Sequence, residues 1–275
     1  MPNLTMPDPA VPDPALPRQA VPNLPGRAFA LEAARRSALG AAFESGGEHY
    51  DAVHPGYPDD AVDVMVPAGA GDAVDIGAGT GIFTGLLVAR GLRTTAVDPS
   101  GDMLAALRAR LPGVPAVQGT AEATGLPEAC TDVVLFAQAW HWVDPLAAST
   151  EAARLLRPGG TLALVWNQLD VSVPWVHRLA RIMHAGDVHR PGFVPPLGPE
   201  FAPWESHDTS WEDIVTPEGL VELAKSRSYY LRATAAVRSK VEANLRWYLH
   251  EHLGHASGEP IALPYVTHAW RAAKA

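Results

Sequence analysis

The chain is short of several things, and each shortage removes a class of function. It has one cysteine, Cys130, in 275 residues. No internal disulfide can form, so the reducing cytosol is the expected compartment and the protein is expected to be cytoplasmic. No run approaches eighteen uninterrupted apolar residues, so no membrane span is expected. Lysine stands only at 225, 240 and 274, and 21 basic residues face 30 acidic ones, for a net charge of −9. Arg35 with Arg36 and Arg108 with Arg110 are short pairs on predicted helices, not the clustered stripe that phosphate contacts need. A nucleic-acid partner is therefore not expected. His184, His189 and His207 lie among Pro and Gly without usable ligand spacing, so no metal is expected either.

What is present reads as an ordinary globular protein, 47% hydrophobic and 19% charged. This length holds one sizeable core, alone or with a small lid. Prolines at 2, 7, 9, 12, 14, 17, 22 and 25 block hydrogen-bonded structure. Residues 1–26 therefore read as a polyproline-like or disordered tail, without the basic start and apolar run of a signal peptide. Residues 27–275 read as one domain. Its core covers about 60–167 with a closing strand near 261–270, and its lid comes from about 28–58 and 170–255.

The apolar spacing from 28 to 44 predicts an amphipathic helix. The run HYDAVHPGYP at 49–58 follows as a polar-aromatic loop, then a short helix near 60–66. Strands are predicted at 72–76, 93–98, 114–118, 132–137 and 161–167, with helices at 81–90, 100–110 and 144–156 between them. Ser100 fits a helix N-cap, and Asp144-Pro145 gives a cap followed by proline at the first helical position. Arg157-Pro158-Gly159-Gly160 stops the last helix. Such alternation implies a parallel, doubly wound α/β sheet with right-handed crossovers. After Trp166 the rhythm fails. A helix is predicted at 173–185, an irregular insertion at 186–210, helices after Thr216-Pro217 and over about 234–253, and a last strand at 261–270.

The chemistry concentrates at Asp75-Ile76-Gly77-Ala78-Gly79-Thr80-Gly81, where a strand meets a helix N-terminus. That arrangement suits a nucleotide-like ligand. A dinucleotide turn needs Gly-x-Gly-x-x-Gly, but the third position here is Ile82, with Gly81 one residue early. Asp75 would repel a pyrophosphate yet suit a ligand bearing an ammonium or sulfonium. The turn therefore selects S-adenosylmethionine (AdoMet) over NAD. Asp98, 17 residues after Gly81, ends the next strand, where a carboxylate accepts from ribose hydroxyls. Gln118-Gly119-Thr120-Ala121-Glu122 follows the third strand and can meet the adenine edge. Met103 can pack on the adenine face or sit in the core.

Seven stretches, HYDAVHPGYP, VDIGAGTGIFTGLL, AVDPSGDML, VQGTAEATGLP, DVVLFAQAWHWVDP, LLRPGGTLALVWN and ALPYVTHAW, span most of 49–270 in order. With them the chain resembles a class I, Rossmann-like AdoMet-dependent methyltransferase. More narrowly, it resembles the methyltransferase type 11 group that includes trans-aconitate-methyltransferase-like proteins. The run AQAWHW at 137–142 is the most discriminating. The resemblance implies a seven-stranded, mostly parallel sheet in order 3-2-1-4-5-7-6, its last strand antiparallel. It also implies cofactor contact at Gly77, Gly79, Asp98, Ala121, Glu122 and Gln138. Relatives often carry Arg where this chain has His54, and Asp where it has Thr120.

The methyl acceptor must lie over the sulfonium, beyond the first and fourth strands. Gln138, Trp140, His141 and Trp142 are expected there, with His141 as the candidate base for a hydroxyl acceptor or a positioning group for a carboxylate. Tyr50, His54 and Tyr57 fall on the loop that, by resemblance, folds over the cofactor, where aromatic faces favour a sulfonium. Asn167 ends the fifth strand near the cleft. Trp166, Trp175, Trp204, Trp211 and Trp247 are numerous enough for some to line an apolar acceptor pocket, and each is assigned to the core. The expected reaction is methylation of a hydroxyl, carboxylate or amine on a small metabolite, with specialised biosynthesis as one setting, releasing S-adenosylhomocysteine from a monomer or homodimer. The alternatives are a nucleic-acid methyltransferase, opposed by the acidic charge, and a protein of this fold that binds AdoMet without transfer, as cyclase or scaffold.

Overall fold

Asp72–Ile76 and Thr131–Ala137 are short segments buried on both faces, and they form the central strands β1 and β4. The computed structural model describes residues 54–185 and 192–275. The proline-rich tail, the helix predicted at 28–44, Tyr50 and His189 lie outside the described residues. In chain order the elements are α1 (Asp59–Met65), β1, α2 (Ile82–Ala89), β2 (Arg93–Asp98), α3 (Gly101–Arg110), β3 (Ala116–Gln118) and β4. A 3₁₀ turn at Trp140–Trp142 follows, then α4 (Pro145–Leu155), β5 (Leu156–Leu169) and α5 (Pro174–Ile182). The chain closes with β6 (Glu205–Val215), α6 (Pro217–Lys225), α7 (Ser228–Arg232), α8 (Ala235–Arg246) and β7 (Ile261–Ala273).

The sheet runs β3-β2-β1-β4-β5-β7-β6. β1, β2, β3, β4 and β5 pair in parallel, and β7 runs antiparallel to both β5 and β6. This is the order the resemblance implied. Side chains alternate with the period of the pleat. Val74, Ile76, Val134, Phe136, Leu162, Leu164 and Trp166 pack with Ala148, Ala152 and Leu155 of α4. Ala73, Val133, Leu135, Ala163 and Val165 face the other way, toward Ala61, Val62 and Met65 of α1 and Phe83 and Leu87 of α2. The predicted caps form: Ser100 Oγ accepts from Met103 N at 3.3 Å, and Asp144 Oδ1 from Leu146 N and Ala147 N at 3.0 and 3.2 Å.

Three features differ from expectation. Residues 205–210, read as irregular, begin the edge strand β6. Residues 157–160, read as a turn, bulge out of β5, because Leu156 pairs with Thr131 and Thr161 with Val133. The helix predicted over 234–253 is α8 followed by a π-helical turn at Trp247–His252. Helices α5, α6 and α8 bury Leu179, Leu220 and Leu245 around Leu169, Leu263 and Tyr265. α5 leaves β5 at its carboxyl end, and Val215 at the end of β6 pairs with Ile261 at the start of β7. This second core therefore stands at the carboxyl edge of the sheet. Among the described residues no helix is long and apolar enough to cross a membrane, and no cluster of His, Cys, Asp and Glu could hold a metal ion.

Candidate active site at the carboxyl edge

The glycine turn begins where β1 gives its last sheet bonds, with Gly77 N and Ala78 N donating to Val97 O at 2.8 and 3.1 Å. Gly77 has φ +72°, and a Cβ there would lie 2.5 Å from Cβ of Ala139. The turn after β1 is thus packed directly on the turn after β4. Gly81 has φ +86° and caps α2, and a Cβ there would come within 2.9 Å of Leu107 in α3. The glycine that stands one residue early therefore serves close helix packing and the left-handed cap together. At Gly79 the same construction meets open space.

Two carboxylates bracket this turn, Asp75 one residue before the end of β1 and Asp98 at the end of β2. Asp98, only 8% exposed, accepts from Gly79 N through Oδ2 at 2.9 Å and from Ser100 N through Oδ1 at 2.8 Å. Burial raises its pKa against the lowering effect of those two N–H groups. Each oxygen keeps acceptor capacity for one further donor. Asp75 is fully buried; Oδ2 accepts from Thr84 Oγ1 at 2.6 Å, whereas Oδ1 has no hydrogen-bond partner among the described residues. Burial pushes the Asp75 carboxyl up to about 7, opposed by the Thr84 hydrogen bond. An unpaired buried acceptor is costly and invites a donor or cation.

The other expected cofactor residues have mixed surroundings. Met103 is buried in the first turn of α3, and Ala121 is buried within the core around Val97 and Phe136. Glu122 is exposed, and its Oε1 accepts from Asp144 N at 2.9 Å, which ties its loop to the start of α4. Gln138 has φ +56°, a strained conformation for a residue with a side chain. It is held by two bonds to β5, from its N to Val165 O at 2.9 Å and from its Nε2 to Asn167 O at 3.0 Å.

Around the expected acceptor region the structure divides AQAWHW. Trp140 is fully buried, edge-on to Phe136 with ring centroids 4.8 Å apart, and its Nε1 donates to Pro196 O at 3.1 Å. It leaves the cleft set and joins the core. His141 and Trp142 are half-buried with ring centroids 4.5 Å apart, and Trp166 Nε1 donates to His141 Nδ1 at 3.3 Å. Asn167 donates from Nδ2 to Gly56 O at 2.7 Å and accepts from Thr267 Oγ1 at 2.6 Å. Its role is to pin the 54–58 loop, with Tyr57 edge-on to Phe83 at 5.0 Å above the start of α2. Trp247, assigned to the core, is 43% exposed. Two contributors were missed in the sequence. Thr84 carried no signal beyond its place one turn into α2, and Trp166 was assigned to the core, with an apolar pocket wall as its only other reading.

A family profile described as a methyltransferase domain matches residues 74–164. A Mycobacterium tuberculosis protein described as an uncharacterized methyltransferase is 43% identical over 238 residues, spanning 86% of this chain and 97% of its own. The trans-aconitate 2-methyltransferase of Rhodopseudomonas palustris is 34% identical over 134 residues, 43% of this chain and 52% of that protein. A solved structure described as a putative type II methyltransferase from Anaeromyxobacter dehalogenans shares the fold with a TM-score of 0.58 at 24% identity, over 79% of this chain and 97% of its own. With a seven-stranded 3-2-1-4-5-7-6 sheet and a near-full-length relative of this kind, the chain belongs to the class I, Rossmann-like AdoMet-dependent methyltransferases.

Proposed function

We propose that this protein transfers the methyl group of AdoMet to a hydroxyl, carboxylate or amine of a small metabolite at the carboxyl edge of β1, β4 and β5. The observation that carries the reading is the pair of carboxylates at the carboxyl ends of β1 and β2, Asp75 and Asp98, on either side of a glycine turn with open space over Gly79. AdoMet supplies a methyl group made electrophilic by its sulfonium.

The residues present fit that group. Asp98 binds a vicinal diol through its two oxygens, each already oriented by a backbone N–H. Asp75 offers the unpaired oxygen that an ammonium would satisfy. Gly79 lets the backbone approach, Gly77 lets the turn pack on Ala139, and Met103, Ala121, Glu122 and Gln138 complete the proposed surround. In-line displacement asks mainly for alignment. The strained Gln138 turn, fixed to β5 at two points, supplies a rigid wall for it. The 54–58 loop, held by Asn167 and by Tyr57 on Phe83, excludes water from the same side.

The −9 net charge and the sparse lysines favour a small acceptor over nucleic acid, as does a relative named for trans-aconitate. Incubating the protein with AdoMet and pooled metabolites should release S-adenosylhomocysteine together with a methylated product. Cofactor binding with no release from any pool would leave a protein that binds without transferring.

A further inference from the structure

We propose that the groove between α5 and α8 binds a small organic anion, a phosphate or carboxylate head on a flat apolar body, at a site separate from the cofactor turn. The proposal goes beyond the methyltransferase reading and does not rest on it.

The groove encloses about 710 Å³. Small-molecule sites run roughly 300–1,000 Å³. Its walls come from α5, α7 and α8, and neither the glycine turn nor Asp98 nor Gln138 lines it. Its charge has one sign. Arg178, Arg181 and Lys240 line it and no Asp or Glu does, in a chain where 30 acids outnumber 21 Lys and Arg. The sequence arranges this locally. α5, PWVHRLARI, carries no acid, and it turns Val176, Leu179 and Ala180 into the second core. His177, Arg178, Arg181 and His184 are then left exposed, three or four residues apart along the other face. α8, AAVRSKVEANLR, carries one acid, Glu242, which accepts from Tyr230 OH and lies 3.8 Å from Lys225 Nζ. A cleft walled by one sign of charge concentrates ions of the other.

The cations are held without being neutralised. The Arg178 guanidinium lies 5.1 Å from the ring centroid of Tyr248 and 5.5 Å from that of Trp247, and its Nη1 is 3.3 Å from His252 Nε2. Stacking fixes the guanidinium plane while its N–H edge still suits a planar or tetrahedral oxyanion. Arg181 and Lys240 are exposed, and neither is in an ion pair among the described residues.

His184 supplies the second feature. It follows α5 at φ +51°, with His184 N donating to Arg181 O at 3.3 Å and Ala185 N to Ala180 O at 2.9 Å. Glycine is the usual residue in that helix-ending position. Histidine accepts the backbone strain there, and its ring stacks on Tyr229, with centroids 3.8 Å and planes 21° apart. With Ile182 and Val237 the two rings give the groove an aromatic and apolar part beside its cations. An anion with an apolar body satisfies both parts. Three cations in one cavity are too few for the extended stripe that a nucleic acid needs.

The test is amide NMR of the full ¹⁵N-labelled chain, titrated with phenyl phosphate, phthalate, inorganic phosphate and benzyl alcohol. Phenyl phosphate or phthalate should give saturable shifts centred on 177–184 and 237–244, and the tighter of the two assigns the head group as phosphate or carboxylate. Inorganic phosphate, which lacks the body, and benzyl alcohol, which lacks the charge, should both bind more weakly. The double variant Arg181→Gln with Lys240→Gln should weaken the preferred anion about tenfold, since both side chains are solvent-exposed. Unmoved amide resonances in β1 and β4 would show that this variant keeps its fold. The proposal is overturned by equal affinity in wild type and variant, by benzyl alcohol binding as tightly as the anions, or by shifts centred on 77–81. It is equally overturned if neither anion binds, or if a single-stranded RNA oligonucleotide occupies 177–184 and 237–244 more tightly than both.

Discussion

At the scale of single residues, Asp75 shows how a site can be set against stability. Its carboxylate is fully buried, with one oxygen on Thr84 and the other unpaired among the described residues. Burial raises it from 3.8 to about 7. The folded protein therefore binds this proton more tightly than the unfolded chain does. The stability linked to it is complete below about pH 3.8 and is lost as pH rises through about 7. Asp75→Asn, which keeps an acceptor for Thr84, should flatten that decline and raise Tm at pH 8 relative to wild type, while weakening S-adenosylhomocysteine binding. Thermal unfolding from pH 4 to 8, with calorimetry of ligand binding, checks both halves; a variant whose Tm falls in parallel with wild type would refute the assignment. Gln138 is a second such residue, accepting φ +56° to place its turn between β4 and β5.

Among elements, α4 and the loop before β4 are joined by a charge. Glu151 Oε1 accepts from Thr124 N at 3.0 Å, and both its oxygens take Arg154 at 2.7 Å. The Arg154 guanidinium, with the Thr124 donors, holds its carboxyl down from 4.5 to about 2. A depressed carboxyl stabilises the fold above its ordinary value, so this contribution should fade as pH falls from about 4.5 toward about 2. Glu151→Gln should lower stability at pH 7 and make the acid limb of the unfolding profile shallower. An unaltered acid limb would show that the linkage lies elsewhere.

The legibility of the elements follows from burial. β4 was readable because both its faces are covered, which leaves the apolar run at 133–137, and β1 because Ala73, Val74 and Ile76 lead into the glycine turn. The sixth strand came only from the family resemblance. Along ESHDTSWEDIV no residue is fully buried, so an edge strand has little apolar alternation to show. In the site, the glycine turn and Asp98 are local signals and were legible. The pairing of Trp166 with His141 was not, because β4–β5 register brings together residues 25 apart. Trp140 was misplaced for a similar reason, since a 3₁₀ turn sends it into the core while His141 and Trp142 beside it stay half-buried.

Taken as a whole, the molecule separates its fastening from its chemistry. Where the strands begin, Arg157 Nη1 reaches Asp72 at 2.8 Å and Asp132 at 2.7 Å, while Arg93 also grips Asp72, tying β1, β2, β4 and β5 together. Where β1, β2 and β4 end stand the glycine turn, Asp98 and the strained Gln138. The helices that pack around Leu169 and Tyr265 occupy that same edge, over β5, β7 and β6. This division is the one expected of an open α/β sheet, whose ligands bind beyond the carboxyl ends of its strands. On the proposed function, AdoMet binds at the carboxyl ends of β1 and β2 through Asp98. Calorimetric titration with S-adenosylhomocysteine tests it most directly. The account predicts one site per chain in the wild type and an affinity lower by about 1.5–3 kcal/mol in Asp98→Ala, the range for hydrogen bonds to a charged group. Equal affinity in the two proteins, or no binding to the wild type, would contradict it.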